Sequence, residues 1–235
     1  MLKDTLNSIS PLDGRYHSKV YELEKYFSEF ALIKNRFLVE IKWLIFISKN
    51  KDLPFVKPFS KKNEKILEDL IDNFSIKDAQ AIKKIESKTN HDVKAVELFI
   101  CQKLNQLKLE EYNEMVHFCC TSEDINNLAY SLMLKGYLDN EFKDINKLLL
   151  KDLKKKSKKW AKISMLSHTH GQTASPTTLG KEIANFHERI KFHINILNKF
   201  IPSGKFNGAV GNYNAHILVN EKANWQGISK KFVTS

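Results

Sequence analysis

Two histidines separated by one residue stand in Ser167-His168-Thr169-His170-Gly171-Gln172. A metal site needs further ligands at sensible spacing, and none follows, so metal binding is not expected here. Imidazole titrates near neutrality, where a general acid or base works best, so a loop histidine beside a glycine and a glutamine suits proton transfer. A second polar segment, Lys88-Thr89-Asn90-His91-Asp92, immediately precedes an apolar-periodic run beginning at Val93. Backbone N–H groups at such a helix start favour an anion. Asn90 or Asp92 is expected as the cap, which leaves His91 unexplained. A third segment, Thr121-Ser122-Glu123-Asp124-Ile125-Asn126, has capping-box spacing between Thr121 and Asp124. Its adjacent hydroxyls could also hold a carboxylate or phosphate, although taken alone a cap is the simpler account. In Ser10-Pro11-Leu12-Asp13-Gly14-Arg15-Tyr16 a Pro–Gly turn presents Arg15 and Tyr16. The guanidinium fork matches a phosphate, and a surface turn is the plain alternative. The last segment runs from Gly204 to His216 and is rich in glycine and asparagine. It is not a phosphate-binding P-loop, because Gly204-Lys205 is followed by Phe206 instead of Ser or Thr.

These segments must be positioned by helices. Glycine is missing from Arg15 through Lys135, which favours continuous helices over a turn-rich sheet protein. Phe30, Ile33, Phe37, Ile41 and Leu44 fall on one helix face, as do Val93, Val96, Ile100 and Leu104. Ile125, Leu128 and Leu132 begin another stripe. The clearest stripe is Leu179, Ile183, Phe186, Ile190, Ile194, Leu197 and Ile201, with Pro176 as a first-turn residue and a stop at Pro202-Ser203-Gly204. Glu141 to Ile163 is of similar length, with Phe142, Ile145, Leu149, Leu153 and Trp160 as core candidates. Two long amphipathic helices joined by a polar loop point to a bundle, and each stripe is expected to pack as core. The expected fold class is all-α: a smaller N-terminal helical domain, residues 1–111, followed by an incomplete helical bundle, residues 112–235.

Composition excludes several classes. At 235 residues, 42% hydrophobic and 28% charged, the chain can bury a sizeable core. No apolar run approaches the roughly 20 residues of a membrane-spanning helix. The Met1-Leu2-Lys3-Asp4 start lacks the apolar core of a secretion signal, so a cytoplasmic protein is expected. Cys101, Cys119 and Cys120 give no disulfide framework. The net charge of +11 raises a Lys-rich nucleic-acid-binding module as an alternative. Only Arg15, Arg36 and Arg189 are arginine, and the lysines are scattered apart from Lys154–Lys159, so no nucleic-acid partner is expected.

Taken together, the motifs resemble those of the bacterial adenylosuccinate lyases, within the fumarase/aspartase superfamily. They are Ser10–Tyr16, Thr89–Glu97, Cys120–Asn127, Thr169-His-Gly-Gln172 and Asn207–His216. The Thr-Ser and Thr-His-Gly-Gln blocks are common to the superfamily, so a sibling such as argininosuccinate lyase or fumarase is the alternative. Such a sibling needs no phosphate site. The resemblance implies elimination of fumarate from adenylosuccinate, and from the succinylocarboxamide ribotide earlier in purine synthesis, without a metal or organic cofactor. It implies that His170 is the general acid, that Arg15 and Tyr16 hold the substrate phosphate, and that Asn90, His91 and Asp92 contact the nucleotide. Thr121 and Ser122 would grip the succinyl carboxylate. It further implies a homotetramer whose sites combine several subunits. The family's general base is a serine in a Ser-Ser-x-Met-Pro-x-Lys-x-Asn-Pro loop, and this sequence contains no Ser-Ser or Met-Pro pair. The chain is therefore expected to be an N-terminal portion that lacks turnover on its own. A fragment that only pairs with intact subunits is a further alternative.

Overall fold

Serine and threonine hydroxyls cap four of the longer helices in the computed structural model, which describes residues 8–235. The Met1–Asp4 start lies outside the described residues. Two short helices, α1 (His17–Val20) and α2 (Glu24–Phe27), lead into α3 (Glu29–Ser48). Then come α4 (Lys61–Asp72), α5 (Ile76–Thr89), α6 (Asp92–Gln106), α7 (Ser122–Tyr137) and α8 (Lys143–Lys159). Strands β1 (Ser164–Thr169) and β2 (Gln172–Thr178) precede α9 (Leu179–Leu197), α10 (Asn214–Val219) and α11 (Trp225–Val233). Ser28 Oγ accepts from Ala31 N and Ser60 Oγ from Asn63 N, both at 3.1 Å, and Ser75 with Asp78 closes a reciprocal capping box. Each cap satisfies a backbone donor that the helix itself leaves open. The mostly helical architecture agrees with the fold class expected from sequence.

The chain forms two units, one holding residues up to Leu134 together with Ser203–Ser235, the other Lys135–Pro202. In the first, α3 is buried on nearly every side, as Val39, Ile41, Trp43, Leu44 and Ile47 show. A helix buried over most of its surface belongs at the centre of a core. Val93, Val96, Ile100 and Leu104 of α6 are buried as their spacing predicted, as are Ile125 and Leu128 of α7. Trp43 is packed by Phe206 and Phe232, with ring centroids 4.4 and 4.9 Å away, and its indole N–H donates to the Phe118 carbonyl at 2.9 Å. The segment after Ser203 is thus part of the N-terminal core.

A polar group also sits in that core. Glu40 of α3 is 1% exposed and its Oε1 lies 2.6 Å from His117 Nδ1, while Glu97 Oε1 of α6 lies 3.7 Å from Nε2. Burial pulls the His117 pKa down, but the hydrogen bond and charge of Glu40 outweigh it, and the net shift is upward. Burial raises the Glu40 carboxyl too, against the pull of His117.

The second unit departs from expectation. Where a polar loop was expected, β1 and β2 form an antiparallel hairpin with a register irregularity between Leu166 and His168. Pro176 is a strand residue opposite Leu166, not the first turn of α9. A two-stranded sheet has only edges, where a missing N–H is tolerated. Thr178 caps α9 instead, its hydroxyl accepting from Lys181 N at 3.2 Å. The stripes are not buried as core: in α8 no residue is buried, and in α9 only Gly180 and Ile194 are. Ile145, Leu149, Phe186 and Leu197 are 55%, 40%, 58% and 42% exposed. Two helices and a hairpin can cover only one flank of each amphipathic helix. Ile201 lies beyond the last turn of α9 because Pro202 disfavours helical geometry at its predecessor.

Gly180 marks the closest approach inside this unit. A Cβ there would meet the Ser157 carbonyl oxygen at 2.3 Å and the Ala161 nitrogen at 2.5 Å, both backbone atoms that cannot swing away. Gly180→Ala should therefore cost about 2 kcal/mol by forcing α8 and α9 apart. Urea unfolding followed by far-ultraviolet circular dichroism checks this, and an unchanged midpoint contradicts it. The raised His117 pKa has a second consequence. Its stabilising contribution is complete below the ordinary value near 6.5 and is lost as pH rises through the raised folded value. Urea midpoints taken between about pH 6 and pH 9 should fall with pH in the wild type, and Glu40→Gln should flatten that slope. An equal slope in both would contradict the assignment.

Candidate active site

The chain turns sharply between α5 and α6. Asn90 takes the left-handed conformation, φ 50°, as the C-cap of α5 and donates its N–H to the Glu86 carbonyl at 2.8 Å. His91 is then extended and is itself the N-cap of α6, its Nδ1 accepting from Lys94 N at 3.1 Å. This corrects the expectation that Asn90 or Asp92 caps the helix. An imidazole nitrogen replaces the usual side-chain oxygen, so neutral His91 carries its proton on Nε2 as a hydrogen-bond donor. The side chain is half exposed.

Asp92 accepts from Val93 N at 2.8 Å through Oδ1 and from Arg36 Nη2 at 2.6 Å through Oδ2. Partial burial alone would raise this carboxyl, but the Val93 N–H and the Arg36 guanidinium outweigh it, and its pKa lies below the ordinary value. Arg36 is buried, and its Nε donates to Asn126 Oδ1 at 2.8 Å. One guanidinium on α3 therefore ties the start of α6 to the first turn of α7.

That first turn carries Thr121 and Ser122, both half-buried. The capping box is formed on one side: Asp124 Oδ2 accepts from Thr121 N at 2.9 Å. The carboxylate does far more than cap. It is fully buried and also accepts from Gly208 N and Asn207 N, both at 3.0 Å, and from Lys205 Nζ at 2.9 Å. Asn127 adds a reciprocal pair, accepting from Lys205 N at 2.8 Å and donating to Lys205 O at 3.0 Å. These contacts set the position of the helix start that carries the Thr121 and Ser122 hydroxyls.

Arg15 and Tyr16 follow a turn in which Asp13 N and Gly14 N both donate to Ser10 O at 3.1 Å. Arg15 Nη2 donates to the Tyr16 hydroxyl at 3.0 Å and the guanidinium lies 4.6 Å from the ring centroid. Both are exposed, and their polar side-chain contact is with each other. His170 belongs to the second unit. It occupies the hairpin tip with φ 52°, followed by Gly171 at φ 73°. Two successive positive φ values between paired Thr169 and Gln172 make a type I′ turn, which displays an exposed imidazole. His216, the last residue of the glycine-rich segment, is fully buried between Tyr213 and Trp225, at 5.3 and 4.9 Å between centroids, so it serves packing.

Within the first unit, then, Asn90, His91 and Asp92 are joined to the Thr121–Ser122 helix start through Arg36, while Arg15 and Tyr16 hold to their own turn. Sequence reasoning missed the contacts by which Arg36, Asp124, Asn127 and Lys205 hold these helix starts. A signal existed for Arg36, a charge inside the otherwise apolar stripe of α3. Asp124 had only its capping spacing.

Known proteins resemble this chain in sequence and fold. A family model described as lyase matches residues 14–235. The adenylosuccinate lyase of Haemophilus influenzae is 44% identical over 236 residues, covering 100% of this chain and 52% of that protein. The adenylosuccinate lyase of Escherichia coli K12 is 43% identical, covering 98% and 51%. A crystal structure of a fumarate lyase from Mesorhizobium sp. BNC1 superposes with a TM-score of 0.69 at 15% identity, covering 92% of this chain and 47% of that one. A 3-carboxy-cis,cis-muconate lactonizing enzyme from Pseudomonas putida gives 0.66 at 19%. At such identities the likeness shows the fold alone. The chain spans about half the length of the curated relatives it matches. By its match over residues 14–235, the chain belongs to the lyase family, as an N-terminal portion of it.

Proposed function

We propose that the whole protein is an adenylosuccinate lyase of purine nucleotide synthesis, and that this chain carries the greater part of its substrate-binding residues. The observation that supports this best is the linkage of two helix starts through Arg36, with donors suited to a nucleotide at one and to a carboxylate at the other. A phosphorylated dicarboxylate would be met by charge-assisted hydrogen bonds at several points. Arg15 and Tyr16 bind the phosphate. Asn90, His91 and Asp92 contact the nucleotide, with His91 orienting the reacting group through Nε2. Thr121 and Ser122 grip the succinyl carboxylate.

In the reaction a base removes the proton on the carbon beside a carboxylate. The C–N bond then breaks, the new double bond becomes that of fumarate, and His170 protonates the departing nitrogen to leave AMP. The ribotide substrate follows the same course to its aminoimidazole carboxamide product. Neither a metal nor an organic cofactor takes part, and neither nucleic acid nor a membrane is a partner. No described helix is long and apolar enough to cross a membrane, and we place the protein in the cytoplasm. The base is a serine in a loop pattern absent from this sequence. The apolar flanks of α8 and α9 then serve the helical bundle of a homotetramer, with residues 1–111 as the N-terminal domain and 112–235 as part of the bundle domain. The phosphate turn at Arg15 favours this substrate over those of sibling lyases, which carry no phosphate.

The chain alone should show no turnover of adenylosuccinate when fumarate absorbance is followed, and a robust rate would contradict the assignment of the base. In the full-length enzyme, His170→Ala should lower kcat by roughly 10²- to 10⁴-fold with little change in KM. A near-normal kcat would remove His170 as the acid.

A further inference from the structure

A fully buried carboxylate with four donors is more than a helix cap needs. Asp124 accepts from the N–H groups of Thr121, Asn207 and Gly208 and from the Lys205 ammonium. A solvated cap is satisfied by one such bond, whereas taking a charge out of water is costly unless every lone pair finds a donor. Those donors come from two segments about eighty residues apart in sequence, by the separations of 83 and 84 that the Asn207 and Gly208 bonds span.

Each donor fixes something. Thr121 N is the amide next to Ser122, so its bond sets how the helix start presents both hydroxyls. Gly208 has φ 82°, a conformation only glycine adopts without strain. The bond to Asp124 holds that conformation in place. Lys205 Nζ bridges Asp124 Oδ1 at 2.9 Å and the Gly208 carbonyl at 2.7 Å. It also offsets the negative charge that Asp124 would otherwise place directly behind the helix start. Uncompensated, that charge would repel any anion approaching Thr121 and Ser122. Asn127, one turn along α7, locks the Lys205 backbone from both sides.

We infer that Asp124 and Lys205 are a paired positioning device for the Thr121–Ser122 carboxylate site: the carboxylate fixes the Asn207–Gly208 segment against the first turn of α7, and the ammonium keeps that turn receptive to an anion. The inference rests on the proposed function for the identity of the anion. It requires that charge, and not only shape, matter at position 205.

The test uses the isotopically labelled chain, with amide hydrogen exchange at Asn207 and Gly208 and chemical-shift titration at Thr121 and Ser122 by adenylosuccinate. Asp124→Asn should lower protection at both amides by on the order of tenfold, since it replaces charged hydrogen bonds with neutral ones. Lys205→Met should weaken adenylosuccinate binding by on the order of tenfold, and Lys205→Arg, which keeps the charge, should hold it near the wild-type value. Unchanged protection in Asp124→Asn, or equal binding by Lys205→Met and Lys205→Arg, overturns the inference. If Asp124→Asn does not fold, the contrast between the two Lys205 variants decides. If the wild-type chain binds no adenylosuccinate, the Lys205 contrast is read in the full-length enzyme; a full-length enzyme that binds none removes the functional reading, and the exchange measurement alone then decides whether Asp124 fixes the loop.

Discussion

A buried carboxylate can persist only when its surroundings satisfy it, and in this protein that requirement falls on Asp124. Its donors come from the first turn of α7 and from the segment Lys205–Gly208. Removing a partner from a buried charged group is far more costly than losing one solvated contact, so the arrangement is held as a unit. The adjoining residues extend it. Asn126 accepts from Arg36, Arg36 pairs with Asp92, and Asp92 stands beside the capping imidazole of His91. A run of six residues, Thr121 to Asn126, with Asn127 beyond it, thus connects α3, α6, α7 and the glycine-rich segment.

Apolar packing supplies the frame on which this polar chain is strung. Phe37 and Trp43 lie on α3 about one turn before and one turn after Glu40, and both are at most 1% exposed. Phe206 sits in the same aromatic cluster and is the immediate neighbour of Lys205 and Asn207. The segment that offers donors to Asp124 is therefore also anchored by an aromatic ring in the core. Packing fixes the segment's path, and the carboxylate fixes its local conformation.

Much of this was legible in the sequence where the controlling physics is local. Helical periodicity located the buried faces of α3, α6 and α7, and polar interruptions located the candidate site residues. What was not legible depends on partners distant in sequence. Arg36 could be seen as a charge in an apolar stripe, but its partners Asp92 and Asn126 are set by helix packing. The capping role of His91 was hidden because imidazole is an unusual cap. The hairpin from Ser164 to Thr178 was read as a loop because its turn, His170-Gly171, combines one ordinary glycine signal with a histidine forced to positive φ. The stripes of α8 and α9 showed amphipathicity correctly, yet amphipathicity says only that a face favours cover. Within the second unit there are too few elements to cover Phe186, Phe192 and Leu148, which stay 58%, 63% and 67% exposed.

A crystal structure of the chain grown with adenylosuccinate tests the central claim most directly. The account predicts a succinyl carboxylate on the hydroxyl and amide groups of Thr121 and Ser122, with Asp124 still buried beneath Asn207 and Gly208. A ligand bound well away from that helix start, or an Asp124 side chain turned out to solvent while the ligand stays bound, would contradict it.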